Sequence, residues 1–492
     1  MNRIIIAVVM LSSGLAVGAE KLGVYDCLDL SLRNNPDIKN AVLAFKQNNL
    51  DQIRILSRYI PSLSAGYTKA EINEPSASSP YNTFPMSTLS FAPSAVWMIP
   101  GGGMLKADYS DQSTLVTLGV PIPGVSDESH TRKLTFSVVQ PLLRDFLLVP
   151  SDINILRMAA SSRRIAALAI DQASQNITYS AYLSYISLVI NDLNVALKAG
   201  SLERSRILLQ KNEQNRSLGI VEDTDILGAK AALGLRIVDF IASSNQRNDA
   251  YNNLKLLINT DKDFDIDPDV GPICRTVDSN YGIEAEIGEA LSNRIEIRLM
   301  KEQMRIQRLN IQNLRSKLLP QLNLIGSYEY YGNAVTAAQA ESEFRENPMH
   351  SWTAGLQLSM PLFPLGEIEE VRKQSLELEK MANNYEKTVD QIRNQLVSKI
   401  NEIRTLRSRL AEISTAVGYQ RDKLQKESDK FKVGRSATRT VIMYQDDLEN
   451  AETLELQLKL QYYVAVASLN YLKGKLLLEC DVPSARALEE LR

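Results

Sequence analysis

The side chains able to do covalent or metal chemistry are few. His130 and His350 are the only two histidines; both fall in loop-like stretches and neither sits in a metal-ligand spacing. Three cysteines, Cys27, Cys274 and Cys480, are too few for a disulfide scaffold and lack zinc spacing. Cys274 and Cys480 are expected either as a bridge or as buried free thiols. Gly101-Gly102-Gly103 is not followed by the Lys-Ser/Thr of a phosphate loop, so it reads as a turn. With no nucleophile motif, the expectation is of no enzyme and no cofactor. What remains is charge near glycines. Asp225 stands six residues past Gly219, Arg435 and Arg439 follow Gly434, and Asp446-Asp447 lie further on. Such groups pair, attract counter-ions, or favour a helix N-terminus.

The elements that hold these groups follow from punctuation and period. Arg3 precedes an apolar run from Ile4 to Leu11, and Val17-Gly18-Ala19 closes it. That is the pattern of a secretory signal peptide over 1–19, cut after Ala19. Val24-Tyr25-Asp26 before Cys27 is no lipidation context. Beyond residue 19 no run approaches the ~18 apolar residues of a transmembrane helix. The mature chain is therefore either free of the membrane or crosses it as strands. A net charge of −3 over 492 residues gives no sign of a nucleic-acid partner.

The chain repeats itself. Leu32, Asn34, Ile38 and Pro61 match Leu291, Asn293, Ile297 and Pro320 at an offset of 259. Pro141 matches Pro361 at 220. Gly219, Ala250, Leu254 and Leu257 match Gly434, Ala465, Leu469 and Leu472 at 215. Discrete jumps between constant offsets indicate duplication with insertions. The larger jump falls between Pro61 and Pro141, where Ser, Pro and Gly crowd residues 72–131; this stretch reads as loops and turns.

Each half then parses alike. Two short helices (about 24–34 and 37–59; about 282–292 and 294–318) precede two strands (near 62–71 and 132–140; near 321–331 and 351–360). A long helix (about 151–216; about 366–431) and a return helix (about 223–258; about 438–478) follow. Val389, Ile392, Leu396, Ile400, Ile403, Leu406, Leu410, Ile413 and Val417 advance by three or four residues, a coiled-coil seam. At 1.5 Å per residue such helices reach about 100 Å, so neighbours of equal length, and hence oligomerisation, are expected. The strands alternate, with Tyr328, Tyr330, Tyr331, Trp352 and Trp97 as candidates for an aromatic belt. Pattern alone leaves a membrane wall and an ordinary half-wet sheet equally open.

These features together resemble the TolC-like outer-membrane efflux family. The resemblance rests on Asn35-Pro36, on Pro61 and Pro320 before strands, and on Gln140-Pro141-Leu142-Leu143 and Met360-Pro361-Leu362-Phe363 after strands. The Leu218-Gly219-Ile220-Val221…Asp225 and Val433-Gly434 turns and the paired Ala250…Leu257 and Ala465…Leu472 complete it, in order and twice. It implies a mainly α chain with a membrane β-barrel portion. Three copies would form a 12-stranded barrel in the outer membrane, continued by a 12-helix periplasmic α-barrel. The repeats would span 20–280 and 281–492. It also implies a periplasmic adaptor and a proton-driven or ABC-type inner-membrane transporter as partners, and outer-membrane lipid around the wall. In that setting the chain is the passive exit channel of a tripartite efflux or type I secretion system.

The resemblance assigns roles by position. Gly219, Ile220 and Gly434 become the helix tips that meet the adaptor. Asp225 matches an aspartate that bonds to a neighbouring copy's arginine, for which Arg435 or Arg439 is available here. Thr440 stands where the family often places a second-half aspartate, which puts the usual lumen ring in doubt. Asp447, two turns further along the same face, is the substitute candidate. A periplasmic adaptor or a structural coiled-coil envelope protein is the alternative. The doubled hairpin argues against the first and the proline-bounded strands against the second.

Overall fold

A computed structural model describes residues 20–76, 79–116, 127–146, 150–217, 221–267 and 283–476. The stretch 1–19 expected as a signal peptide, and Gly219, Ile220, Cys274 and Cys480, lie outside the described residues. The chain divides into two units, one of Met1–Leu43, Ala167–Arg298 and Glu386–Arg492, the other of Ala44–Ala166 and Leu299–Tyr385.

In the first half β1 (Glu20–Leu22), α1 (Val24–Asn34) and α2 (Pro36–Leu56) precede four strands, β2 (Ser62–Ser76), β3 (Ser79–Ile99), β4 (Gly103–Val116) and β5 (Glu128–Pro141). Then come α3 (Ser151–Ser217), α4 (Asp223–Ile258) and β6 (Phe264–Ile266). The second half runs α5 (Ile283–Asn293), α6 (Ile295–Ser316), β7 (Gln321–Ala334), α7 (Ala337–Glu346), β8 (Met349–Ser359), α8 (Leu365–Lys432) and α9 (Thr438–Leu472). Helix lengths run in parallel: 11 residues for α1 and for α5, 67 for α3 against 68 for α8, 36 for α4 against 35 for α9. Among the described residues no helix is long and apolar enough to cross a membrane.

Local chemistry sets the breaks. Asn35 stops α1 and accepts the Asp37 N–H at 2.8 Å, while Pro36 takes the first helical position, where no N–H is needed. In the helical unit α1 packs its Val24, Cys27, Leu28 and Leu32 against Tyr182, Tyr185 and Ile186 of α3 and Leu254 of α4. Cys27 is fully buried; burial, then the Asp26 charge, pushes its thiol up to about 12, so it is an inert packing residue. The α8 seam is where the 3.5-residue spacing placed it: Ile392, Leu396, Ile400, Ile403, Leu406 and Val417 are buried within the single chain.

The other unit contains one six-stranded antiparallel meander, ordered β2-β3-β4-β5-β7-β8. It corrects two expectations. Residues 72–131 are largely strand, not loop, so the first half supplies four strands instead of two. All six strands belong to one chain, against the four expected. Proline is the cause. Pro93 lies inside β3, paired in register with Ala65, but the β3–β4 ladder skips Ala92 and Pro93 because Pro93 has no N–H to give. Second, His130 and His350 lie in β5 and β8, not in loops. Gly101 and Gly102 do form the β3–β4 turn, at φ 102° and 77°.

Candidate functional site

The sheet sorts its residues by side. Register alone places Leu63, Ala95, Ala107, Phe136, Tyr328 and Trp352 in one row across all six strands, on one face. The adjacent row, on the opposite face, is Ser64, Ser94, Asp108, Thr135, Glu329 and Ser351. Since side chains alternate along a strand, the first face is apolar throughout its middle and the second polar. The polar face is knit by its own bonds: Ser64 to Ser94 at 2.7 Å, Lys133 to Glu329 at 2.6 Å, Ser351 to Glu329 at 3.2 Å. Trp97, Tyr328, Tyr330 and Trp352 share the apolar face, but Tyr331 lies on the polar one. Between Trp97, Phe136, Tyr328 and Trp352 the small Ala95, Ala107 and Gly326 floor a cavity of about 580 Å³.

Toward the loop end the apolar face gives way to charge. Asp111 pairs with Arg132 at 3.2 Å, and Arg132 also meets Glu341 of α7. α7 lies against this end, its Phe344 ring edge-on to Tyr109 and Tyr330 at 6.1 and 5.1 Å. Gly332 permits that approach, since a Cβ there would stand 2.5 Å from the Phe344 backbone nitrogen.

In the helical unit the second turn is a Schellman cap. Arg435 N–H bonds the Lys430 carbonyl at 2.9 Å and Gly434 N–H the Phe431 carbonyl at 3.1 Å, with Gly434 at φ 74°. Nothing stands within 4 Å of a Cβ at Gly434. Gly434→Ala is therefore expected to cost about 1–2 kcal/mol from backbone strain alone, with Asn milder, measurable by thermal unfolding of the purified variants.

Near that cap the Ser436 hydroxyl donates to Glu427 at 2.6 Å, and this bond, then that of Lys430, holds the Glu427 carboxyl below its usual range. The Thr438 hydroxyl donates to Asn212 of α3 at 2.9 Å, buried. Thr440 gives its N–H to the Ala437 carbonyl at 3.1 Å, a helix-start role. Around the first turn, Arg216 at the end of α3 pairs with Asp223 at 2.7 Å. Asp225 is half-buried and Arg435 and Arg439 are exposed; among the described residues none of the three has an ion-pair partner in its own chain. The structure thus does not bring Asp225 and an arginine together within one copy. Asp447 pairs with Lys423 of α8 at 3.0 Å, and that lysine also lies 3.7 Å over the Tyr444 ring.

One cluster contains a single residue singled out by sequence, Asp446. Glu449 of α9 is 3% exposed and receives Lys198 of α3 at 2.5 Å, Arg236 of α4 at 2.8 Å and the Ser201 hydroxyl. Arg236 also meets Asp446. Five residues on three helices far apart in the chain leave no local spacing to find. Among the described residues no three His, Cys, Asp or Glu gather as metal donors.

Residues 287–475 match the family profile described as outer membrane efflux protein. A comparison with curated proteins found no match. Solved structures match across nearly the whole chain at low identity. The CmeC outer membrane channel of Campylobacter jejuni is 14% identical, covering 95% of this chain and 89% of its own, with a TM-score of 0.66. The outer membrane protein VceC of Vibrio cholerae is 13% identical, with 92% and 96% covered and a TM-score of 0.65. The MtrE outer membrane channel of Neisseria gonorrhoeae, in its open state, is 16% identical, with 92% and 88% covered and a TM-score of 0.66.

Proposed function

From a chain that carries an outer membrane efflux protein domain at 287–475 and takes the TolC-like channel fold, we propose an outer-membrane exit channel. It conducts passively what an inner-membrane transporter delivers through a periplasmic adaptor. Two repeats, 20–280 and 281–492, build it. Three copies assemble, each lending α3, α4, α8 and α9 to a twelve-helix tunnel in the periplasm.

The observation that carries this reading is the two-sided sheet. One row crosses six strands apolar and the next crosses them polar, in a chain whose described helices are too polar to span a bilayer. Hydrocarbon accepts strands only when every backbone group is paired, so a wall open at β2 and β8 must be completed by other copies. Exposed apolar residues on α4, among them Leu227, Leu235, Val238 and Ile241, supply a helix face for the same neighbours.

Crosslinked pull-down of the tagged protein from whole cells, read by mass spectrometry, tests the assignment. Co-purification of an adaptor with a transporter supports it; recovery of neither, from a trimer that needs detergent, leaves a stand-alone envelope channel. At the helix tips, Asp225 is proposed to pair with Arg435 or Arg439 of a neighbouring copy and hold the channel closed. Asp225→Ala should then raise single-channel conductance, and an unchanged conductance in a folded trimer would refute the lock. Asp447→Asn in the same recordings should reduce cation selectivity if Asp447 lines the lumen; selectivity left unaltered removes it from the pore.

A further inference from the structure

We infer that the membrane wall has eighteen strands, not twelve, because the β3–β4 hairpin is itself part of the wall. This rests on the channel reading and sharpens it. A hairpin emerging into a loop region would leave the sheet after a few residues, or would carry polar side chains on both faces. Here β3 pairs with β2 from Val96 to Thr83 and with β4 from Ile99 to Met86, along the full length of both neighbours. The two added strands also keep the side code of the rest. Leu89, Phe91, Ala95 and Trp97 of β3 and Leu105 and Ala107 of β4 point to the apolar face. Thr88, Ser90 and Ser94 of β3 and Asp108, Ser110 and Gln112 of β4 point to the polar one.

Parity agrees. An insertion into an antiparallel wall must bring an even number of strands, or the strand beyond it runs the wrong way. With six strands per chain, β2 and β8 run in opposite directions, so the β8 edge of one copy meets the β2 edge of the next as an antiparallel pair. Three copies of six strands close a ring of eighteen.

Barrel diameter grows roughly linearly with strand number, so such a wall is about half as wide again as a twelve-stranded one, and walls of this size hold open water. The polar face offers no ring of one sign: Lys133 is matched by Glu329 at 2.6 Å and Lys106 by Asp108 at 2.8 Å, among serines and threonines. A wide, charge-balanced lumen selects neither tightly by size nor by sign.

Two measurements on the full-length protein decide this. Single-particle electron microscopy in lipid nanodiscs should resolve eighteen strand densities; twelve, with the hairpin outside the ring, would overturn the inference. Second, single cysteines placed in proteoliposomes are exposed to a membrane-impermeant maleimide, with labelled peptides assigned by mass spectrometry. Ser90→Cys and Asp108→Cys should label while Phe91→Cys and Ala107→Cys stay protected. Thr135→Cys and Phe136→Cys report on β5, outside the hairpin. If β5 alternates and the hairpin labels on both faces, the eighteen-strand wall fails and the channel stands. Should β5 itself not alternate, the membrane reading fails with it.

Discussion

Replacing Glu449 with Ala should lower stability by about 3–5 kcal/mol. The reason is what it leaves behind. Lys198 and Arg236 are 16% and 12% exposed and both aim their charges at Glu449 from 2.5 and 2.8 Å. Removing the carboxylate leaves two largely desolvated cations unpaired at this point, and the Ser201 hydroxyl loses its acceptor. The intact cluster need not be a strong net stabiliser, since desolvating its charges offsets much of their attraction. Asymmetry makes the deletion costly: Asp446 reaches Arg236 alone and cannot also satisfy Lys198. Thermal unfolding of the detergent-purified protein measures this, and Glu449→Gln, which keeps the shape and a hydrogen-bonding oxygen, should cost less than Ala. Equal melting of wild type and Glu449→Ala would show that the three helices are not held together here.

The same cluster sets a pH dependence. Burial would raise the Glu449 carboxyl, but the hydrogen bonds from Lys198 and Ser201 and the charges of Arg236 and Lys198 outweigh it and leave it below its ordinary value of 4.5. A depressed folded-state value contributes stability that is present above the unfolded value of 4.5 and lost as pH falls through the folded one. Asp446 is shifted the opposite way, raised chiefly by burial despite Arg236, so it gives back part of that loss in acid. Wild type should therefore lose more melting temperature than Glu449→Gln as pH drops below about 4.5, the variant having no charge to neutralise.

Phe136→Arg is the second large effect, expected at about 2–4 kcal/mol against the membrane-inserted state, with Thr135→Arg near neutral. The two positions are neighbours in β5 and point to opposite faces. Phe136 sits in mid-row between Ala107 and Tyr328, and Thr135 sits between Asp108 and Glu329. An arginine among hydrocarbon chains is either desolvated or drags water and headgroups inward, whereas one beside Asp108 and Glu329 meets water and two carboxylates. Folding titrations into lipid vesicles compare the pair directly. A penalty at 135 that matched the one at 136 would mean that no side of this sheet faces lipid.

Much of the architecture is legible in the amino-acid sequence. A seam at 3.5-residue spacing carries its own partner requirement, which is why Ile392, Leu396, Ile400, Ile403, Leu406 and Val417 are buried and Leu410 and Ile413 half-buried. Asn35-Pro36 announces a helix break by local chemistry that needs no tertiary help. The inserted strands are not legible, for an equally local reason. Pro85 and Pro93 inside β3, and the serines around them, carry turn chemistry, and nothing in the sequence tells that β2 would supply the pairing that lets β3 continue past Pro93. The alternation of Leu89, Phe91, Ala95 and Trp97 is the signal that a stricter count of period catches.

At the helix ends the division is similar. Gly434 is marked as a turn by its type alone, and its φ of 74° is the conformation that only glycine adopts freely. Among the described residues Asp225 has no arginine partner in its own chain, and spacing within one chain is silent about any partner beyond it. Asp447 is singled out by its place on a helix face, yet its Lys423 partner comes from α8, 24 residues away in sequence.

By itself, then, the sequence determined what depends on near neighbours: helix lengths, the seam, the caps, the alternation of Phe136 with its neighbours. Those are set by propensity and periodicity acting over a few residues. Only the tertiary structure decided how many strands share one sheet, and that Lys198, Arg236 and Glu449 meet. Each of these is a pairing between segments far apart in the chain, chosen because a backbone edge or a buried charge left alone costs more free energy than the loop entropy of bringing its partner to it.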